Sequence, residues 1–186
     1  MKMIKLDNAV ILDTETTGLD SNARIVEISI ICASTGDVLV NQLVNPLCEI
    51  PNEAYQVHGI GHADVADKPT FDTVWNDIKS FLFDREVIIY NFDYDYRLIA
   101  QSLSDFDYPL LNLSHMIKGQ CAMEWYAEFF GDWNDYHGNY KWQSLVNACQ
   151  QQGIETAGLV AHRALGDCEM TRRLITVVNK QIEANQ

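Results

Sequence analysis

The chain has 186 residues with no Gly/Ser/Pro linker, repeat or low-complexity block, so its length predicts one domain, residues 1–186, around one sizeable core. No apolar run is long enough to span a bilayer, and the N-terminus lacks the apolar segment of a secretion signal, so we expect a cytoplasmic protein with no membrane partner. A net charge of −13 argues against a long groove that tracks duplex nucleic acid, and five cysteines without a C-x-x-C pair argue against a disulfide framework or a zinc cage.

The N-terminal half of the chain is predicted to form three strands followed by helices. Apolar runs predict strands near residues 8–13, 25–33 and 37–44. The second and third strands are joined by a predicted turn at Ser34-Thr35-Gly36-Asp37. Short helices are expected near residues 52–57 and 63–66, and a longer helix is expected at 71–83.

The C-terminal half alternates strands and helices. Residues 86–90 predict a fourth strand that leads into a helix containing Asp95, and the segment 110–114 suggests a fifth strand. We expect further helices at 117–130, 142–152 and 161–182. Three antiparallel strands followed by helix-connected strands are typical of an α/β layered fold.

The first strand ends in two acidic residues. Asp13 and Glu15 follow the apolar run Ala9–Leu12 and precede a Thr-Thr-Gly turn. Alternate residues of a strand share a face, so the two carboxylates project together from the strand end. Adjacent carboxylates need a counter-charge, and a hard divalent cation with oxygen ligands is the usual one. A solvated strand end without a metal is the other interpretation of this segment alone.

The fourth predicted strand is also followed by acidic residues. Asn91 comes directly after it, and Asp93 and Asp95 follow at the start of a helical pattern. If the helix starts near Asp93, that residue is a good N-cap, and Asp95 lies at position N2, where the helix dipole favours a carboxylate. Either aspartate could therefore be functional, and helix-end electrostatics is the alternative interpretation of both.

A third segment combines a histidine with an aspartate. His162 lies five residues before Asp167, and the spacing of Met170, Leu174 and Val178 predicts a helix behind them. Five residues do not stack two side chains on a regular helix, so an irregular first turn would let His162 reach over a site to which Asp167 is fixed. The ordinary pKa of histidine suits proton transfer near neutral pH. A surface or core histidine is the alternative.

Residues 131–140 are aromatic, polar and flanked by glycines, which predicts a loop. The rings could stack on a base near a binding site. Alternatively, Trp133 and Tyr140 cap the core beneath the loop, and we favour this second interpretation.

Together the three acidic segments resemble the DEDD superfamily of 3′ to 5′ exonucleases, in the histidine-bearing DEDDh branch that includes polymerase proofreading subunits. The motifs of that family read Asp-x-Glu-Thr-Thr-Gly, Asn-x-x-Phe-Asp-x-x-x-Leu and His-x-Ala-x-x-Asp. The matching residues are Asp13, Glu15, Thr16, Thr17, Gly18 and Leu19, then Asn91, Tyr94 and Asp95, then His162, Ala164 and Asp167. Tyr94 in place of phenylalanine is a mild departure. The resemblance implies an α/β, ribonuclease H-like fold with a central mixed five-stranded sheet flanked by helices.

The resemblance also implies the chemistry of the site. Asp13, Glu15 and Asp167 would hold one Mg²⁺ or Mn²⁺ ion, and Asp13 with Asp95 would hold a second. His162 would take the proton from the attacking water, and hydrolysis would release nucleoside 5′-monophosphates.

Substrate contacts are implied in the same way. Leu19 would wedge between the last two bases, while backbone groups of Thr16, Thr17 and Gly18 would hold the terminal sugar. The remaining substrate-binding residues implied by the resemblance are His58, Gly59 and Ile60 at the terminal base, and Asn91 and Tyr94 of the second motif.

Three functions are compatible with these observations. The first is an exonuclease acting on single-stranded or frayed 3′ ends of DNA, with a polymerase or another replication protein as a partner. The second is an exoribonuclease that trims RNA 3′ ends, because the sequence does not reveal how the pocket treats the 2′-hydroxyl. The third is a catalytically silent nucleic-acid or replisome-binding module, which the loss of any one ligand would favour, and none is missing. The preference for DNA comes from the resemblance alone, and the oligomeric state is left open.

Overall fold

A mixed five-stranded sheet forms the centre of the computed structural model, which describes residues 1–106, 108–109, 113 and 117–185. The strands are β1 (Ala9–Thr16), β2 (Ile25–Cys32), β3 (Val38–Leu43), β4 (Glu86–Ile89) and β5 (Lys118–Cys121). They lie in the order β3-β2-β1-β4-β5. β2 is antiparallel to β1 and β3, whereas β4 is parallel to β1 and β5. The predicted mixed five-stranded sheet is therefore confirmed.

Helices cover both faces of the sheet. They are α1 (Asn52–His58), α2 (His62–Val65), α3 (Phe71–Ile78), α4 (Phe92–Ser104), α5 (Ala122–Phe130), α6 (Leu145–Gln151) and α7 (Ala164–Ala184). A 3-10 turn at Lys79–Phe81 extends α3. Within the described ranges, no helix is both long enough and apolar enough to cross a lipid bilayer.

The central strand β1 is buried on both faces. Val10 and Leu12 pack against α3 and α4, while Ile11 faces the layer formed by α5, α6 and α7. A strand covered on both sides is a continuous apolar run without alternation, as in Ala9–Leu12. Burial of each large aliphatic side chain contributes roughly 1.5–3 kcal/mol. Groups at the end of β1 are therefore attached to a well-packed part of the molecule.

The fifth strand is not where the sequence predicts it. The predicted segment 110–114 lies almost wholly outside the described residues, and β5 occupies the start of the helix predicted at 117–130, so α5 begins only at Ala122. β5 is a polar strand at the sheet edge and carries no apolar period. Its Gly119 lies directly under the Phe92 ring, which a β-carbon at position 119 would overlap.

Two predicted helices begin later than expected because side chains bind their first backbone N–H groups. α6 begins at Leu145, since the Ser144 hydroxyl accepts the N–H of Asn147 at 3.2 Å. α7 begins at Ala164, so His162 lies before the helix and not in an irregular first turn of it.

Residues 131–142 form an aromatic hairpin where the sequence predicts an open loop. Its strands β6 (Trp133–Asn134) and β7 (Asn139–Tyr140) pair in antiparallel fashion. The rings of Trp133 and Tyr140 meet edge to face, with centroids 5.0 Å apart. Trp133 is 49% and Tyr140 36% exposed, and neither belongs to the buried clusters of the described residues, so the predicted capping of the core is wrong.

Candidate active site

Three carboxylates meet at the end of β1. Asp13 and Glu15 point to the face of the sheet that α7 covers, as Ile11 does. Asp167 lies in the first turn of α7. One oxygen atom from each of these three carboxylates lies within 4.8 Å of the other two. A single cation could therefore contact all three side chains.

Asp95 lies in α4 and is buried beside this cluster. Its Oδ1 accepts hydrogen bonds from the backbone N–H of Thr14 at 3.1 Å and from the Thr14 hydroxyl at 2.7 Å. Thr14 is the β1 residue between Asp13 and Glu15, so these two bonds fix Asp95 against the strand end. The negative charge of Asp95 contributes to a raised pKa of Asp13.

The structure distinguishes the two aspartates of the second motif. α4 begins at Phe92 with Asn91 at the N-cap position, so Asp93 is at N2 and Asp95 is at N4. The expectation that Asp93 caps the helix is therefore wrong, as is the placement of Asp95 at N2. The Asn91 side chain makes no capping hydrogen bond. Asp93 is exposed to solvent, whereas Asp95 is buried at the cluster.

One oxygen of Asp167 is available for a ligand. Its Oδ1 is buried and has no hydrogen-bond partner among the described residues. Such an atom costs roughly 1–3 kcal/mol when it is left unpaired. The next residue holds Asp167 in position, because the single thiol hydrogen of Cys168 lies between the carbonyl oxygens of Ile11 and Ser29, whose distances from Sγ are 3.6 and 3.5 Å. A bound cation would remove the cost of the unpaired oxygen.

Burial and mutual repulsion raise the pKa of all four carboxyls. Burial is the largest cause in each case. Asp95 and Asp167 add to the rise at Asp13, and Asp167 adds to the rise at Glu15, whose pKa reaches about 8. Without a counter-charge the cluster therefore retains protons near neutral pH, and a divalent cation would favour the ionised form instead.

His162 lies in an exposed turn just before α7. Its backbone adopts a left-handed conformation with φ of +59°. The side chain is close enough to Asp167 to lower the pKa of that carboxyl, opposing the effect of burial. The turn packs tightly onto α7, because a β-carbon at Gly166 would overlap the carbonyl oxygen of Val160. Glycine at this position therefore allows the turn to bring His162 next to the carboxylates.

The family model described as exonuclease matches residues 10–175. The chain belongs to this exonuclease family. The match includes all four carboxylates and His162, and the expected 3′ to 5′ exonuclease with a ribonuclease H-like fold is confirmed.

Some relatives of the exonuclease match it along almost the whole chain. An exonuclease of Escherichia phage 186 is 39% identical over 176 residues, which are 94% of this chain and 89% of that protein. The DNA polymerase III epsilon subunit of Rickettsia felis is 38% identical over 196 residues, covering 95% of this chain and 80% of the subunit. Matches to three other Rickettsia epsilon subunits cover 44 to 50% of those proteins. Exonuclease X, solved in complex with 5′ overhanging duplex DNA, has a TM-score of 0.67 and 27% identity over 92% of both chains.

The exonuclease has a further buried carboxylate near the cluster that its sequence motifs do not include. Glu27 is 2% exposed and pairs with Glu15 in the register of β1 and β2. Its carboxylate accepts hydrogen bonds from Arg163 Nε and from the Ala164 N–H, both at 3.0 Å, and so anchors the start of α7. A glutamate inside the apolar run Ile25–Cys32 is the signal that could have identified it, since a buried charge needs a partner.

The turn that follows β1 in the exonuclease is held by Tyr94. The hydroxyl oxygens of Thr16 and Tyr94 are 2.6 Å apart, and they lie 3.0 and 2.9 Å from the carbonyl oxygen of Gly18. Thr17 is buried within the same turn. Leu19 follows and is 80% exposed. The turn is therefore rigid, and its leucine projects into solvent.

His58 supports the same turn from beneath. The N–H of Ile60 donates to Nδ1 at 3.0 Å, so the proton of the neutral ring is on Nε2 and is donated to the Thr16 carbonyl at 3.2 Å. Burial lowers the pKa of His58, which keeps the ring neutral. Gly59 ends α1 in a left-handed conformation, and Ile60 is buried. The contact of these three residues with a terminal base stays a prediction.

Proposed function

We propose that the protein is a metal-dependent 3′ to 5′ exonuclease of single-stranded or frayed DNA ends that releases nucleoside 5′-monophosphates. The observation that carries the proposal is the convergence of Asp13, Glu15, Asp95 and Asp167 at one strand end, with His162 beside them. Residues 1–186 would act as one exonuclease domain. The cytoplasmic location expected from the sequence stays part of this proposal.

The donor set fits two Mg²⁺ or Mn²⁺ ions. All of the donors are carboxylate oxygens, which hard divalent cations prefer. The unpartnered Oδ1 of Asp167 and the raised pKa of Glu15 both favour a bound cation. Asp13, Glu15 and Asp167 would hold one ion, and Asp13 with Asp95 would hold the other. When bound, the ions would lower the pKa of a coordinated water and stabilise charge on the leaving oxygen.

His162 is the proposed proton acceptor. Its side chain is exposed beside Asp167, so the neutral ring can reach a water that approaches the cluster. The bonds from Arg163 and the start of α7 to Glu27 hold the neighbouring backbone in place. The Asp167 carboxylate would stabilise the imidazolium that forms when the ring takes a proton.

The turn after β1 is proposed to bind the end of the strand. Backbone groups of Thr16, Thr17 and Gly18 would contact the terminal sugar, because Tyr94 fixes this turn. Leu19, which projects into solvent, would insert between the last two bases.

DNA is the proposed substrate because one similar protein belongs to a DNA polymerase and another was solved bound to DNA. The first is the Rickettsia felis epsilon subunit, and the second is exonuclease X, solved with a DNA duplex that has a 5′ overhang. By the same likeness we propose a polymerase or another replication protein as a partner.

The experiment compares matched substrates of one sequence. End-labelled single strands of DNA and RNA, and a DNA duplex with a mismatched 3′ end, are incubated with Mg²⁺, with Mn²⁺ or with EDTA. We expect stepwise shortening of DNA from the 3′ end, release of 5′-monophosphates, and no cleavage in EDTA. Undiminished cleavage in excess EDTA would exclude the metal mechanism. Faster cleavage of RNA would make the protein an exoribonuclease.

The proton acceptor is tested by His162→Ala. We expect kcat to fall by about 10²- to 10⁴-fold with metal binding nearly unchanged, because this histidine is not a proposed ligand. His62→Ala removes another exposed histidine and is the matched control, with an expected wild-type rate. Near-normal turnover of His162→Ala would assign His162 a structural role.

A further inference from the structure

The aromatic hairpin presents four aromatic side chains to solvent. Tyr136 is 89% exposed and Trp142 is 62% exposed, and Trp133 and Tyr140 are also exposed. Trp133 and Tyr140 contact each other edge to face, and in the described residues none of the four belongs to a buried cluster. Clustered exposed aromatic rings on a folded protein generally mark a binding surface.

The hairpin begins and ends in a fixed geometry. The N–H of Lys141 donates to the carbonyl oxygen of Asp132 at 2.8 Å, and their side chains form an ion pair of 3.0 Å. At the tip, the N–H of Gly138 donates to the carbonyl oxygen of Asn134 at 2.8 Å. The exposed rings are therefore carried on an ordered backbone, which reduces the entropy lost when a ligand binds.

The hairpin is attached at the end of β4, the strand that lies beside β1. The hydroxyl of Tyr90, the residue after β4, donates to the carbonyl oxygen of Gln143 at 2.7 Å, directly after the hairpin. β1 and β4 are parallel, with Ile11 opposite Ile88. Tyr90 packs in the same buried cluster as Ile11 and Ile88, on the face of the sheet to which Asp13 also points. A single-stranded nucleic acid that runs from the carboxylates across the end of β4 would therefore reach the hairpin.

Because the protein is strongly negative, base stacking is a more effective source of affinity on this surface than attraction of the phosphate backbone. The chain carries a net charge of −13, and the lysine of the hairpin, Lys141, is paired with Asp132. Attraction of the phosphate backbone is therefore weak here. Aromatic rings stack on any base and do not depend on positive charge, at roughly 1–3 kcal/mol per base.

We propose that the aromatic hairpin is a stacking surface for the bases of single-stranded nucleic acid whose 3′ end lies at the carboxylate cluster. The proposal rests on the proposed function for the position of the 3′ end. It predicts affinity for oligonucleotides that depends on aromatic rings and only modestly on salt.

The test uses two substrates that differ in length. The p-nitrophenyl ester of thymidine 5′-monophosphate occupies only the catalytic site, whereas a single-stranded oligonucleotide extends over the hairpin. Tyr136→Leu and Trp142→Leu keep an apolar side chain but remove the ring. We expect each to raise KM for the oligonucleotide by about 5- to 100-fold, which is the loss of one stacked base. kcat/KM for the ester should stay unchanged.

Two further variants separate stacking from a general loss of apolar surface. Trp142→Phe retains a ring and should keep most of the affinity. Leu47→Ala removes an exposed side chain outside the hairpin and should behave as the wild type. An unchanged KM for the oligonucleotide in the Tyr136→Leu/Trp142→Leu double variant would overturn the proposal and leave the hairpin as a contact for another protein.

Direct binding distinguishes this proposal from the proposed function. Fluorescence anisotropy of a labelled oligonucleotide, recorded in EDTA, measures binding whether or not hydrolysis occurs. If the wild type hydrolyses neither substrate, the proposed function fails, and weaker binding by the double variant would still support the hairpin. If the wild type hydrolyses both substrates and the double variant binds the oligonucleotide as tightly as the wild type, only the hairpin proposal fails.

Discussion

Glu15 allows the electrostatic cost of the carboxylate cluster to be measured. Its pKa is raised from an ordinary 4.5 to about 8, first by burial and then by the negative charge of Asp167. Between these two values the metal-free folded protein holds a proton on Glu15 that the unfolded chain has released. The free energy of unfolding must therefore fall as pH rises through this window, and the contribution of Glu15 is lost once pH exceeds the folded-state pKa.

The size of this effect follows from the pKa. Between about pH 6.5 and about pH 8.5, Glu15 accounts for a fall of roughly 2 kcal/mol in the free energy of unfolding. For a chain of 186 residues this corresponds to a fall of roughly 4–8 °C in Tm. Glu15→Gln cannot titrate at this position and retains every other titrating group. The difference between the two metal-free proteins therefore reports Glu15 together with its repulsion of Asp13, whose pKa the Glu15 charge also raises.

Thermal unfolding followed by circular dichroism measures this difference. EDTA-treated wild type and Glu15→Gln are compared at both ends of the pH window, and the wild type is measured again with Mg²⁺. The ion should abolish the additional fall in the wild type, because it stabilises the ionised carboxylates. Parallel changes of Tm with pH in the two EDTA-treated proteins would contradict this prediction, since Glu15 would then have an ordinary pKa.

The remaining predictions concern single positions. Asp95→Ala should lower kcat at least about a hundredfold if Asp95 binds the second ion, whereas Asp93→Ala should keep nearly the full rate. The reverse result in a cleavage assay would make Asp93 the ligand and move the alignment of the second motif by two residues. Gly166→Ala should displace the turn that carries the proton acceptor and lower kcat by up to about a hundredfold without loss of helix content, which an unchanged rate would contradict. Gly119→Ala should lower stability in urea by roughly 1–3 kcal/mol, because its β-carbon would overlap a ring of α4.

Signals that are local in sequence made most of the site predictable. Asp13 and Glu15 stand out because the strand before them is buried on both faces and is therefore a continuous apolar run. Asp167 stands out because a helical period begins directly behind it. The turn at Gly36 is recognisable because its residue types favour turns, and its N–H donates to the carbonyl oxygen of Cys32 at 2.8 Å.

Features that depend on distant residues could not be predicted in this way. β5 is polar, and it forms a strand because it pairs with β4 and because Gly119 leaves room for Phe92. The contribution of Glu27 depends on Arg163, which is 136 positions away in the chain. The strands of the aromatic hairpin are two residues long, too short to show any period.

His162 occupies a backbone conformation that residues with a β-carbon generally disfavour. A left-handed φ of +59° costs a residue with a β-carbon roughly 1 kcal/mol, a cost that glycine avoids. Replacement of His162 by glycine would relieve this backbone strain and remove the proposed proton acceptor at the same time. Variants selected only for heat resistance would tend to lose this histidine, so turnover has to be selected together with stability in any directed evolution of this protein.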